Sequence, residues 1–205
     1  MTDRSHGMVS KSRTETITDG FFATVMTILA LTLIVPAVTG ANIPTQLAVS
    51  LRDLLPNVLS YVISFIMLGV LWIGHNNLFR HLAKANRSLQ WLTLLFLLSI
   101  GFIPFTTALL GRYPFVQLAV LIFGVNLFLI SLIYASIWLY ISRNPQLTHD
   151  DIDKKFVKRQ SKIIIISPIA YLAAVLFSYV STYISVAIFI IMPIFYIAIG
   201  FILVE

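Results

Sequence analysis

Four residues in this sequence have polar side chains and lie in or beside segments with helical spacing: an arginine, an aspartate, a tryptophan and a histidine. Asp19 is a carboxylate at the start of the first long apolar segment, and Arg13 precedes it by six residues. Six residues turn a helix by about 600°, which leaves the two side chains about 120° apart, so they are poor partners on one straight helix. Trp72 and His75 are three residues apart on a second apolar segment and share a helical face. We predict that the four residues form a polar cluster that joins two helices.

Such a cluster has one of two roles, a structural role or a role in proton sensing or transfer. Because charge inside a membrane is costly, an intramembrane carboxylate needs a polar partner and indicates a site with a role. The cluster either fixes the first helix against the second, or it senses or transfers protons through His75. Asp19 has no second carboxylate that enters the membrane beside it, so the carboxylate pair of a membrane enzyme is missing. We therefore predict that the protein is not an enzyme.

Metal and cofactor chemistry is not indicated by the sequence. The histidines are His6, His75, His81 and His149, and no two have the i, i+4 spacing of ligands on one helix. The sequence contains no cysteine, which excludes thiolate metal sites and disulfides. It also contains no Gly-x-Ser-x-Gly motif and no phosphate-binding glycine loop. We expect no metal site and no cofactor.

The composition indicates an all-α membrane protein. Hydrophobic residues make up 59% of the 205 residues and charged residues 11%, whereas soluble chains carry about 25% charged residues. Asp, Glu, Lys and Arg are missing from segments 20–51, 54–79, 88–111, 113–142 and 163–204. A helix of about 20 residues crosses the hydrocarbon layer, so the last segment is long enough for two crossings. The prediction is one transmembrane domain over residues 1–205, with six helices at about 14–35, 56–79, 89–111, 114–141, 161–180 and 184–204.

The basic residues predict the orientation of these helices. All but Arg52 and Arg112 of the 14 lysines and arginines fall in the N-terminal tail, the second loop and the fourth loop. Lysine and arginine concentrate in short cytoplasmic segments, so both termini are predicted to be cytoplasmic. This orientation explains the net charge of +6 without a nucleic-acid partner. Pro36, Gly40 and Pro44 end the first helix, and a short interfacial helix is expected at about 45–54.

Several motifs resemble one known family in their order along the chain. The segment Arg13-Thr-Glu-Thr-Ile17-Thr18-Asp19-Gly20 resembles the Arg-x-x-x-Phe-Ser-Asp-Gly stretch that opens the transmembrane protein 175 family of potassium-permeable channels. Ile17 replaces the usual Phe and Thr18 the usual Ser. The resemblance continues in segments 71–79, 94–97 and 103–107, and it covers most of residues 13–111.

The resemblance implies an assembly and a pore. Prokaryotic members of the family look like six-helix subunits of homotetramers, in which the first helix of each subunit lines a central pore. The residues that match the family's motif, Arg13, Asp19, Trp72 and His75, would form a structural network behind that pore. The family's constriction positions correspond here to Thr24, Thr27 and Leu31. Thr24 is a departure, since the family usually has Ile or Leu there.

Helical geometry is compatible with this pore. At about 100° per residue, with Thr24 at 0°, Ile28 lies near +40° and Leu31 near −20°, whereas Asp19 lies near −140°. Thr27, near −60°, borders the stripe. Because Thr24 can hydrate an ion, the narrowest apolar ring is expected deeper, at Ile28 or Leu31. The alternative is that the threonines only donate hydrogen bonds to the backbone of their own helix.

The functional prediction is a modestly potassium-selective cation channel in a lipid bilayer, with passive potassium flux through a homotetramer. The expected location is a prokaryotic cell membrane. The alternative is a secondary transporter or a proton-conducting membrane protein that uses Arg13, Asp19 and His75. A transporter usually shows internal repeats and polar groups near the middle of the membrane. A second copy of the Asp19 motif is absent from residues 114–205.

Overall fold

The structure is a computed structural model that describes residues 8–39, 42–149 and 154–204. Two-residue strands β1 (Met8–Val9) and β2 (Ala85–Asn86) pair antiparallel. The longer elements among the described residues are α-helices, with one 3₁₀ turn of three residues at Pro145–Leu147, and this helical architecture confirms the all-α prediction. The helices are α1 (Lys11–Ala30), α2 (Ile43–Asp53), α3 (Leu55–Arg80), α4 (Arg87–Gly101), α5 (Ile103–Arg112), α6 (Gln117–Arg143), α7 (Lys154–Ile164), α8 (Ile166–Phe177) and α9 (Thr182–Val204).

Five helical segments of the described chain are long and apolar enough to cross a membrane. Two of them combine consecutive helices, since one joins α4 to α5 and another joins the end of α7 to α8. They are Leu55–Arg80, Arg87–Arg112, Gln117–Arg143, Arg159–Phe177 and Thr182–Ile199. Helix α1 is not among them, because its first half carries the polar run Lys11–Asp19. A sixth crossing by α1 therefore stays a prediction.

Proline positions explain where the structure divides helices that the sequence predicts as continuous. The predicted helix at 89–111 is divided at Phe102, and Pro104 lies in the first turn of α5. The predicted helix at 161–180 starts within α7 and is divided at Ile165, just before Pro168. A proline ring clashes with the carbonyl four residues earlier and removes a hydrogen bond, so the helix breaks in the preceding turn.

The first helix is shorter at its end than predicted. It ends at Ala30, with Leu31 as its cap, instead of continuing to Val35. The backbone N–H of Leu31 donates to Ile28 O at 3.0 Å and that of Thr32 to Leu29 O at 3.1 Å. These three-residue spacings tighten the last turn, and Pro36 cannot extend the helix. The following helix, α2, begins with Pro44 in its first turn and leaves Leu47 and Leu51 exposed.

The core that holds α1 in place is aromatic. Phe96 on α4 is fully buried, and its ring lies 6.2 Å from Phe22 of α1 and 5.7 Å from Tyr134 of α6. Phe96 also stacks on His75 of α3 with the ring centroids 5.7 Å apart. Four helices thus meet around one side chain. Aromatic pairs at these separations contribute about 0.5–1.5 kcal/mol each beyond the area they bury.

The predicted cytoplasmic end of the bundle is joined by short extended segments. Strand β1, just before α1, pairs with β2, just before α4. Leu82, after α3, forms an antiparallel bridge with Thr148, which follows α6. The backbone N–H of Ala83 donates to Leu147 O at 2.8 Å. These contacts tie the starts of α1 and α4 and the ends of α3 and α6 into one cap.

Candidate pore face and polar contacts of the first helix

Helix α1 has one packed face and one uncovered face in the described chain. Its buried side chains recur at three- and four-residue intervals, the spacing of one helical face: Thr14, Thr18, Phe22, Val25 and Leu29. The opposite face carries Thr24, Thr27 and Ile28, and all three are exposed. Ile28 is 47% exposed and Leu31, at the helix end, 74%. The predicted pore residues therefore share one side of the helix, turned away from the subunit core.

The two threonine hydroxyls on this face donate to their own helix. Thr24 Oγ1 donates to Gly20 O and Thr27 Oγ1 donates to Ala23 O, both at 2.8 Å. This is the backbone bonding that the sequence offers as the alternative to a pore role. The two roles are compatible, because a hydroxyl that donates its single hydrogen still has lone pairs that can accept from water or face a cation.

Asp19 and Trp72 are brought together by the packing of α1 on α3. The indole Nε1–H of Trp72 donates to Asp19 Oδ1 at 2.8 Å. Asp19 is exposed and Trp72 is 38% exposed, so the bond lies at the surface of the single subunit. A hydrogen bond to a charged group contributes about 1.5–3 kcal/mol. This contact holds the middle of α1, the predicted pore helix, at a defined position on α3.

His75 lies behind this contact and does not extend it. The side chain is 1% exposed, and its ring stacks on Phe79 at 4.2 Å as well as on Phe96. Its Nε2 has no hydrogen-bond partner in the part of the chain that the structure describes. His75 therefore belongs to the aromatic core between α3 and α4. A buried polar atom without a partner is costly, which makes this residue unusual.

Arg13 is the member of the predicted cluster that lies apart. Its side chain is exposed, and its backbone N–H donates to Ser10 Oγ at 3.4 Å, which caps the start of α1. Among the described residues, the ion pair found on α1 joins Lys11 to Glu15 at 3.7 Å, and Asp19 takes no part in it. The structure thus joins Asp19 to Trp72, places His75 in the core and leaves Arg13 outside their contacts.

Other polar contacts of the bundle were not predicted as a network. Gln90 Nε2 donates to Thr14 Oγ1 at 3.3 Å and gives α1 a second polar contact, with α4. Thr107 Oγ1 donates to Ser64 Oγ at 2.7 Å, and Asn126 Nδ2 donates to Thr106 Oγ1 at 3.3 Å. Helices α3, α5 and α6 are thereby linked through buried groups. The adjacent threonines lie within the segment 103–107, one of the segments that carry the family resemblance in the sequence.

Together these features define a multi-pass helical membrane protein with one uncovered helix face that carries hydroxyl and apolar groups. The family described as "Endosomal/lysosomal potassium channel TMEM175" matches residues 13–104. Over this segment the chain is similar to a family that is described as a potassium channel. The chain is an integral, multi-pass membrane protein, as the sequence predicted, and the family and relatives that it resembles are channels and not enzymes.

Individual relatives cover different shares of the chain. A protein named potassium channel from Chamaesiphon minutus is 27% identical over 187 residues, which are 90% of this chain and 92% of that protein. One from Streptomyces collinus, also named potassium channel, is 29% identical over 150 residues, 71% of each chain. The human protein named endosomal/lysosomal proton channel TMEM175 is 32% identical over 117 residues, which are 53% of this chain but 23% of that protein.

A solved structure extends the similarity to the fold. The crystal structure of a lysosomal potassium-selective channel TMEM175 homolog from Chamaesiphon minutus superposes with a TM-score of 0.80 at 26% identity. The superposition covers 92% of this chain and 96% of that one. The helices beyond residue 104, where the family match ends, therefore share this architecture as well.

Proposed function

We propose that four copies of the chain form a potassium-permeable channel whose central pore is lined by α1. One observation carries the proposal: α1 buries one face in the subunit and leaves Thr24, Thr27 and Ile28 uncovered on the other. A single helix face cannot surround a pore, so symmetric copies must supply the rest. The bacterial relatives are named potassium channels, and this supports the choice of potassium as the ion.

The proposed pore combines hydroxyl groups with apolar rings. The hydroxyl oxygens of Thr24 and Thr27 accept hydrogen bonds from the water molecules around the ion. Ile28 and Leu31, which lie further toward the C-terminal end of α1, form the constriction. An ion that passes methyl groups sheds water with little direct replacement, and potassium releases its water more easily than sodium. Hydrophobic constrictions also close by dewetting. Because Thr24 replaces a larger apolar residue, the proposed selectivity for potassium is modest.

The residues around Asp19 have a structural role in this proposal. The hydrogen bond from Trp72 fixes α1 on α3, while His75 packs into the core behind them. Arg13, on the exposed side of the first turn, is available to a neighbouring subunit or to lipid headgroups. Helix α1 has 20 residues, about 30 Å of helix, which is enough for the sixth crossing with both termini cytoplasmic.

Proton conduction is the second candidate function, because the vertebrate relatives are named proton channels. In this alternative, Arg13, Asp19 and His75 carry protons, either alone or coupled to another ion as in a transporter. The route would need a connection between the Asp19–Trp72 bond and the buried His75 ring. Proton and potassium fluxes can be measured separately in the same vesicles, so the two functions are distinguishable.

The proposal is tested with purified protein in liposomes. A potassium gradient should drive potassium flux without any coupled ion, and proton flux is followed in parallel with an internal pH dye. A potassium flux that requires a second ion would show that the protein is a transporter and not a channel. Mass measurement in mild detergent should give a homotetramer, and a monomer that conducts would overturn the central pore.

A further inference from the structure

Helix α7 concentrates positive charge at one end of the bundle. Its 11 residues include no aspartate or glutamate. The basic residues of α7 are Lys154, Lys155, Lys158, Arg159 and Lys162. The acidic residues that precede α7 in the sequence end at Asp153, and the segment 163–204 after these lysines and arginine is uncharged. The basic residues of α7 are therefore the last charges before the chain enters its longest uncharged segment.

The packing of α7 on α6 determines which side of α7 is covered. The indole Nε1–H of Trp138 on α6 donates to Ser161 Oγ at 2.8 Å. Ile164 is buried, and Val157 is partly buried and packs against the same core. Ser161 and Ile164 follow Val157 by four and seven residues, which is the spacing of one helical face. This face of α7 is therefore held against the bundle.

The described basic side chains lie on the other side of α7. Arg159 comes two residues after Val157, which places it about 200° around the helix from that packed residue. Lys162 has the same relation to Ile164, because it comes two residues before it. Both basic side chains are exposed. In the part of the chain that the structure describes, neither of them forms an ion pair with a carboxylate. Their charges are therefore available to a partner outside the bundle.

These charges lie where the chain enters the lipid. The membrane-spanning segment Arg159–Phe177 begins within α7, so α7 leads directly into α8 at the predicted cytoplasmic end. At such a boundary, lysine and arginine keep their methylene stems on apolar surface and extend their charged ends toward the headgroup layer. Lys158 and Lys162 are four residues apart, so their positions are neighbours on one side of the helix. The charge of α7 is therefore placed at the level of lipid phosphates.

We propose that the basic face of α7, which includes Arg159 and Lys162, binds the phosphate headgroups of anionic phospholipids. A cluster of about four to eight basic residues next to a membrane span is attracted to the negative surface of the bilayer. Arginine adds two parallel hydrogen bonds to phosphate oxygens, whereas lysine acts as a point charge. A bound lipid holds α7 at the membrane surface, and the bond between Trp138 and Ser161 transmits this restraint to α6.

The test uses the full chain in detergent micelles to which a short-chain phospholipid is added. Dioctanoyl phosphatidylglycerol is the anionic probe and dioctanoyl phosphatidylcholine the zwitterionic one, and native mass measurement and thermal unfolding record binding. The parent should retain the anionic lipid and unfold at a higher temperature with it, because a ligand that binds the folded state stabilises it. Arg159→Gln with Lys162→Gln should weaken this binding about tenfold or more, whereas Arg159→Lys, which keeps the charge, should retain most of it.

A second double variant at the same end of the bundle is the matched control. Lys84→Gln with Arg87→Gln removes two exposed charges just before α4 and at its start, and it should bind the anionic lipid as the parent does. Equal binding of the two lipids by the parent, unchanged binding by the α7 variant, or equal losses in both double variants would overturn the proposal. An equal temperature shift with inorganic phosphate would show a site for soluble anions and not for lipid. Unfolding temperatures without lipid check that each variant is folded.

Discussion

The indole N–H of Trp72 donates to a carboxylate oxygen of Asp19 at 2.8 Å and joins the first two long helices of the chain, α1 and α3. The two residues are 53 positions apart in sequence. The bond lies one turn before the uncovered face that we propose as the pore lining. A change at either residue is therefore expected to act on the position of α1, and only indirectly on the ion.

The first prediction concerns this bond. Asp19→Ala should lower the free energy of unfolding by about 1.5–3 kcal/mol, because it removes a charged acceptor. Asp19→Asn keeps an oxygen for the indole N–H and should lose less. Trp72→Phe should cost little more when Asp19 is already alanine, as a double-mutant cycle in thermal unfolding would show. Additive losses would show that Asp19 and Trp72 are not coupled and would contradict the bond. A stable tetramer in which Asp19→Ala changes only ion preference would place the aspartate in the pore.

The second prediction concerns the constriction. Leu31→Ala should widen the apolar ring and raise sodium permeability, whereas Thr24→Ile should narrow the pore and increase the preference for potassium. Reversal potentials under potassium–sodium gradients measure both effects. Leu59→Ala is the control, since Leu59 is also an exposed leucine, at 61% against 74% for Leu31, but lies on α3. If the two pore variants match the parent while the α3 variant differs, α1 does not form the filter.

The third prediction separates the structural role of His75 from proton transfer. His75→Phe should preserve folding, because it keeps the ring stacking with Phe79 and Phe96 and removes a buried nitrogen that lacks a partner. His75→Ala should destabilise the protein by about 3–5 kcal/mol through the cavity that it leaves. Unfolding temperatures and paired potassium and proton flux assays test both variants. Loss of proton flux alone in His75→Phe would support the proton-conducting alternative.

The fourth prediction concerns the close approach of α6 to its neighbours. A Cβ added at Gly124 would lie 3.0 Å from Val175 Cγ2 and 3.1 Å from the Phe189 ring. Gly124→Ala should therefore destabilise the bundle by about 1–3 kcal/mol. Gly69→Ala is the matched control on α3, where nothing lies within 4 Å of the new carbon. It should be neutral or stabilising by up to about 1 kcal/mol, since alanine favours helix more than glycine does. Equal effects would contradict this packing.

Much of the fold was predictable because membrane helices are specified by local composition. Uncharged segments of about 20 residues must form hydrogen bonds within themselves in lipid, so their length and number indicate helices without tertiary information. The helix ends were less predictable. The divisions at Phe102 and Ile165 depend on how Pro104 and Pro168 are accommodated by neighbouring helices, which hydropathy does not describe.

The sequence by itself determined the helical membrane class, and its motifs pointed to the family. It also determined which residues of α1 share a face, because helical periodicity is local. Only the tertiary structure decided which polar residues meet: Asp19 with Trp72 but not with His75, and Trp138 with Ser161. The reason is physical. A contact between residues far apart in the chain depends on the rotation and register of two packed elements, and those follow from the packing of the whole core, not from the spacing of residues along one helix.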